Sequence, residues 1–288
     1  MSAAMTSPPL ASADWSRAMT LTGLEFLAAW HVLGLGDPPL ELQLRSPGRT
    51  IYDRNRAFDV ELVRLRERGL AAMADPGIRP RPRLASALRL LAGAPLTHDL
   101  RLSAGLIAVG AVDGESGVVL VSDGGPPRPG DTSRPAGTLR LVEVRGPTVP
   151  ATLIELIGPV RTGRSRTVNL DGDTLDRART LVADGSVWTL ADKLVELGTP
   201  RVDAHALARM CTGVTGWGQI GALARTAGGE RRGRWVVGFH RSEGGDFLQL
   251  RRPGPGGRPH VTVAPVTAEG LLAHVRALAA DLPVPART

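Results

Sequence analysis

Apolar positions along this chain recur in two rhythms, and the elements can be read from where one gives way to the other. Thr22-Gly23-Leu24-Glu25 has capping-box spacing ahead of Phe26, Trp30 and Leu33, an i, i+4, i+7 stripe that predicts a helix closed at Gly34 to Gly36. Leu40 to Leu44 reads as a short apolar strand. Thr50 and Asp53 form a second cap, before a helix whose face carries Phe58, Leu62 and Leu65 and which ends at Gly69. A third helix, Leu84 to Ala92, stops at Gly93 and Pro95. The period then shortens. Leu96 to Leu102 alternates, and Leu106 to Val112 and Val118 to Val121 are continuous apolar runs parted by the turn residues Asp113 to Gly117. A Gly, Pro and Arg loop, Ser122 to Gly137, precedes a fourth strand, Leu139 to Val144. A helix beginning near Pro150 closes this half at Gly158-Pro159.

The second half repeats the order. Arg166 to Leu170 predicts a strand, followed by helices over Thr174 to Ala183, Leu190 to Leu197 and Val202 to Cys211. Strands are expected near Trp217 to Arg225, Trp235 to His240, Phe247 to Arg251 and Val261 to Val263, then a helix whose Leu271, Val275 and Leu278 share a face. Short turns between successive strands favour antiparallel pairing, since parallel strands need long crossovers. The predicted class is α+β: a central antiparallel sheet flanked by two helical bundles, with internal pseudo-twofold symmetry. Residues 1–19, rich in Ser, Ala and Pro, read as a flexible tail. Residues 20–285 read as a single domain of two halves, about 20–160 and 161–285.

Composition narrows the function classes. With 288 residues, 42% hydrophobic and 22% charged, the chain can bury a full core. The single cysteine, Cys211, excludes an intrachain disulfide framework and a multi-cysteine zinc site. No apolar run reaches the roughly 18 residues of a membrane-spanning helix, and no secretory signal pattern opens the chain. These features place the protein in the cytoplasm without membrane insertion. The formal charge is +7, and Lys193 is the only lysine. The arginines are scattered, apart from Arg231, Arg232 and Arg234, and aromatics make up only 3%, too few for a base-stacking platform. Solvated surface arginines are therefore favoured over nucleic-acid binding.

Candidate chemistry is sparse. Gly216-Trp217-Gly218-Gln219-Ile220-Gly221 matches the dinucleotide fingerprint, but it follows a helix and runs into strand-like alternation. Close packing of a strand explains those glycines better. The six histidines show no ligand spacing, and no nucleophile elbow, P-loop or zinc-protease motif is present. The reading is a protein without catalytic residues, metal or cofactor. What remains are apolar strand faces. Trp235, Val237 and Phe239 share one by the period of two, as do Trp217 with Gln219 and Phe247 with Gln249. Such a face packs under helices or, if exposed, marks a protein partner.

Taken in order, Leu21 to Phe26, Leu33 to Pro39, Ser46 to Thr50, Arg68-Gly69-Leu70, Asp99 to Leu102, Gly216 to Gly221, Trp235 to Phe239 and Val261 to Pro265 resemble the EspG family of type VII (ESX) secretion, across roughly residues 20–285. The resemblance implies the same sheet-and-bundle architecture. It also implies a cytosolic, non-catalytic chaperone that binds the helical tip of PE–PPE heterodimers, or of another secreted helical-hairpin protein, and directs it to secretion. With the family's use of the sheet and C-terminal bundle, the candidate partner-binding residues are Trp217, Gln219, Phe239 and Gln249. A homodimer is left open. A basic nucleic-acid-binding protein is the competing class, distinguished by phosphate-contacting arginines on one face and a steep salt dependence.

Overall fold

The computed structural model describes residues 13–123, 137–182 and 185–283. The chain divides into two units, one running to Asp99 and over Gly105–Leu156, the other comprising Leu100–Ala104 and the chain from Ile157.

In the first unit, ordered structure begins inside the expected tail. Asp14 accepts from the Ser16 N–H at 3.2 Å, opening a turn of 3-10 helix at Trp15–Arg17. Strand β1 (Met19–Leu21) then pairs with Leu139–Leu141. Backbone pairing captures a segment whose composition alone reads as loop. Residues 1–12 of that tail, and residues 124–136 of the expected long loop, lie outside the described residues.

Helix α1 (Gly23–Val32) starts at the predicted capping box. Thr22 Oγ1 accepts from the Glu25 N–H at 3.1 Å, and the Glu25 carboxylate accepts from the Thr22 N–H at 2.7 Å. Two orphan donors of the first turn are thereby satisfied. The same carboxylate receives Arg68 Nη1 at 2.6 Å, tying this corner to the end of α2 (Ile51–Glu67). The strand expected at Leu40 to Leu44 is not formed. A 3-10 turn occupies Leu40–Leu42, and Gln43 has a left-handed φ of 49°, which no extended run tolerates. Leu42 is buried, while Leu40 is 84% exposed.

A small hairpin, β2 (Ala71–Met73) and β3 (Ile78–Pro80), leads to α3 (Pro82–Gly93), with proline in its first turn. Strands β4 (Leu96–Leu102), β5 (Ile107–Asp113), β6 (Ser116–Ser122) and β7 (Leu139–Arg145) follow, then α4 (Val149–Glu155). Strand alternation sorts the two faces. Ile107, Val109 and Ala111 of β5, with Val118 and Leu120 of β6, join one core with α1, α2 and α3. The opposite face receives α4. There Gly110 and Gly117 lie so close that an added Cβ would stand 2.5 and 2.7 Å from the Val149 methyls, so only glycine admits the helix.

The second unit also combines helices with antiparallel strands. Strand β8 (Val168–Asp171) leads into α5 (Gly172–Thr180), α6 (Val187–Glu196) and α7 (Arg201–Cys211). Asp171 caps α5 by accepting from the Thr174 N–H at 2.9 Å. Next come β9 (Gly216–Thr226), β10 (Gly229–Arg232), β11 (Val237–Ser242), β12 (Gly245–Pro253), β13 (Pro259–Pro265) and α8 (Ala268–Ala280). The strand order in this unit is β9, β11, β12, β13, β8, and the named pairs are antiparallel. In the first unit the order β5, β6, β7, β1 repeats the device of an edge strand laid beside the last strand. Strand β10 pairs only with the far end of β9, and all its residues are exposed. Its sequence, Gly-Glu-Arg-Arg, has no apolar alternation to announce a strand. The α+β class with antiparallel pairing and helical bundles is thus observed.

Candidate functional site

Register decides which of the four candidate residues share a surface. Gln219 of β9 lies opposite Gly238 of β11, which lies opposite Gln249 of β12, so all three point to one face. One row along, Trp217, His240 and Phe247 align on the same face. Phe239 lies opposite Gly218 and Leu248, which puts it on the other face. The sheet therefore brings Trp217, Gln219 and Gln249 together and separates Phe239 from them.

The face holding Phe239 also carries Ile220, Val237 and Leu250, and α8 packs on β9 and β11 there. Phe239 is 7% exposed, and its ring fills the space beside Gly218, where an added Cβ would stand 2.4 Å from the ring. Trp235, ahead of β11, is buried too. Its indole N–H donates to Asp281 at 2.7 Å, and the Arg252 guanidinium lies 3.8 Å over its ring. The apolar face predicted for Trp235, Val237 and Phe239 is real, but it is core. Phe239 is thus buried on the face opposite Trp217, Gln219 and Gln249 and does not share a surface with them.

The other face belongs to α5, α6 and α7. Val168, Leu170, Phe247, Val261 and Val263 join a core with Ala178, Ala191, Leu194, Ala204, Leu207 and Met210. Between these helices and the strands a cleft of about 310 Å³ is left open. Leu175, Leu190, Leu194, Leu207 and Val263 wall it, with Cys211 on one side and Gln249 and Arg179 bringing polar groups. Burial pushes the Cys211 thiol above its ordinary pKa, away from a reactive thiolate. In this unit, large apolar side chains remain in solvent. Trp217 is 55% exposed, and Leu181, Trp188, Val202 and Val214 are exposed as well. Trp188 meets His205 edge-to-face at 6.1 Å. An open, largely aliphatic cleft with a few polar groups, together with exposed apolar side chains in the same unit, suits a protein-recognition surface.

Two polar devices hold this region, and sequence reasoning missed both. His240, 2% exposed, donates through Nε2 to the Met210 carbonyl at 2.9 Å, and its Nδ1 meets Gln249 Nε2 at 2.7 Å. Burial depresses its pKa, only partly countered by the Met210 bond and the Asp246 charge. Asp246, also buried, accepts from the Arg161 N–H at 2.7 Å and from Arg241 Nε at 2.8 Å, while its carbonyl receives the Gly163 N–H. It pins the segment around Arg161–Gly163 to the β11–β12 hairpin. An aspartate after Gly244-Gly245 reads as an ordinary turn residue, so nothing local announces this role. Asp246→Ala should cost about 2 kcal/mol in urea denaturation, because the part-buried Arg161 N–H loses its acceptor and the Arg241 guanidinium keeps only the Pro159 carbonyl. A change under about 0.5 kcal/mol would show that water replaces the carboxylate.

The fingerprint-like stretch Gly216 to Gly221 lies wholly within β9, not at a strand-to-helix turn. Trp217 within it donates its N–H to Ser103 Oγ at 3.0 Å and accepts the Ser103 N–H at 2.8 Å. Arg231 and Arg232 stand on exposed β10, where neighbouring Glu230 is paired with Arg225 at 2.6 Å. Among the described residues, no helix is long and apolar enough to cross a membrane.

A model of the EspG family matches residues 22–277. A solved structure of the Mycobacterium tuberculosis type VII secretion system chaperone EspG5, in complex with a PE25-PPE41 dimer, superposes with a TM-score of 0.70. The match covers 94% of this chain and 98% of that one at 15% sequence identity, which establishes likeness of fold. No curated protein sequence matches the chain.

Proposed function

The chain belongs to the EspG family, and from that membership and the geometry above we propose that it is a chaperone of type VII secretion that receives a secreted helical-hairpin client of the PE–PPE kind. The observation that carries this reading is the open cleft between α5, α6, α7 and the sheet, with Trp217 exposed on the same sheet face as Gln249. A helical tip offers apolar side chains at i, i+3 and i+4 that such a cleft can take up, and the exposed Trp217 on the same face can exclude water beside them. Shielding that tip keeps the client soluble before export. The work is non-catalytic and belongs to the cytoplasm, where the client is made. The structure solved with PE25-PPE41 supports the choice of client by likeness of fold.

The test begins with recovery of the client from the native host and its reconstitution with the purified chain. Trp217→Ala should weaken the reconstituted complex about tenfold by calorimetry with an unchanged melting temperature, as for a moderate aromatic anchor. Arg251→Ala breaks an exposed pair with Asp176, at 2.6 Å, and should change affinity less than about threefold. Wild-type affinity in Trp217→Ala would remove this sheet face from the interface and with it this reading.

A further inference from the structure

Gln249 lines the cleft, yet its orientation is set from behind by His240. The Met210 carbonyl can only accept, so the imidazole nitrogen 2.9 Å from it, Nε2, must carry a proton. A buried imidazole resists a second proton, so Nδ1 keeps its lone pair. Only the amide nitrogen of Gln249 can answer that lone pair, and it lies 2.7 Å away. The side-chain oxygen of Gln249 is therefore turned away from the histidine, and among the described residues it has no hydrogen-bond partner. The ring is itself held by α7 through Met210 and by stacking on Phe247, with centroids 5.4 Å apart.

We infer that His240 is a positioning residue that fixes Gln249 as an outward hydrogen-bond acceptor at the apolar cleft, so that the cleft selects a client tryptophan side chain. This rests on the reading that the cleft receives the client. Tryptophan is the coded side chain that joins a large apolar surface to a lone N–H donor with no acceptor of its own. Leucine walls, the Gln249 acceptor and the Arg179 guanidinium, which can lie against an aromatic face, match that chemistry. A purely aliphatic side chain would leave the Gln249 oxygen unanswered, and a serine or glutamine could donate to it but would fill little of the leucine-walled space.

The probes are indole and 1-methylindole, which differ in the N–H donor. Nitrogen-15 NMR of the full chain should show His240 as the neutral tautomer protonated at Nε2. Indole should shift the Gln249 side-chain amide and bind about fivefold more tightly than 1-methylindole, the worth of one neutral hydrogen bond. His240→Phe should abolish the preference while indole still binds. If that variant unfolds, Gln249→Leu, at an exposed position, must abolish it instead. A proton on Nδ1, equal binding of the two probes, binding of neither, or a preference surviving Gln249→Leu would each overturn the inference. A clear indole preference alongside wild-type client binding by Trp217→Ala would keep the His240–Gln249 acceptor but overturn the proposed function and client selection with it. Equal binding of the two probes with a weakened Trp217→Ala complex would overturn this inference alone.

Discussion

Phe239→Ala should lower the unfolding free energy by about 3 to 4 kcal/mol, with client affinity of the folded fraction within about twofold of wild type. The ring is 7% exposed and fills the gap left by Gly218, on the sheet face that receives α8. Removing it forfeits the transfer of the ring from water and opens a cavity that the strand backbones cannot collapse. Urea denaturation measures the first effect and calorimetry with the client the second. A loss below about 1 kcal/mol together with weakened client binding would return Phe239 to the partner surface. The contrast with Trp217→Ala is the discriminating feature, since that change should spare stability and reduce affinity.

Acid should destabilise the protein through one residue of β4. His98 is 1% exposed, and among the described residues neither of its ring nitrogens has a hydrogen-bond partner. Burial holds its imidazole down at about 4 against an ordinary 6.5, with the Asp99 charge pulling the other way. As pH falls below 6.5 the unfolded chain takes up a proton that the folded chain refuses until about 4. Folded-state stability is therefore full above that window and drains away as pH falls through it. Between pH ~7.5 and ~4.5 this one group should remove about 2.5 kcal/mol. His98→Leu should be flatter than wild type by that amount over the same range. His240 and His274, whose pKa values burial also lowers, contribute in the same direction and are present in both chains. Parallel pH profiles for the two proteins would show that water or a partner reaches His98 in the folded state.

Much of the fold was legible because its signals are local. The Thr22–Glu25 capping box, the glycine helix stops and the period-two runs act over a few residues, and the helices and strands they announce formed within a few residues of expectation. Elements held by pairing alone were not legible. Strand β10 has no apolar alternation, and β1 sits where composition reads as tail, yet backbone hydrogen bonds capture both. The Leu40 to Leu44 run failed for the opposite reason. Its apolar composition suited a strand, but the left-handed Gln43 turned it into a 3-10 corner.

The candidate site divides along the same line. Sequence alone determined parity within each strand: Trp217 with Gln219, Phe247 with Gln249, and Trp235 with Val237 and Phe239. Parity says nothing of how one strand is offset against the next, because a shift of one residue exchanges the faces without altering any local pattern. Only the hydrogen-bonded register, setting Gly218 opposite Phe239 and Trp217 opposite His240, sent Phe239 beneath α8 and left Trp217 in solvent. The cleft needed one fact more, the packing of α5, α6 and α7 short of closure over Gln249. That outcome is fixed by side-chain volumes meeting from distant parts of the chain.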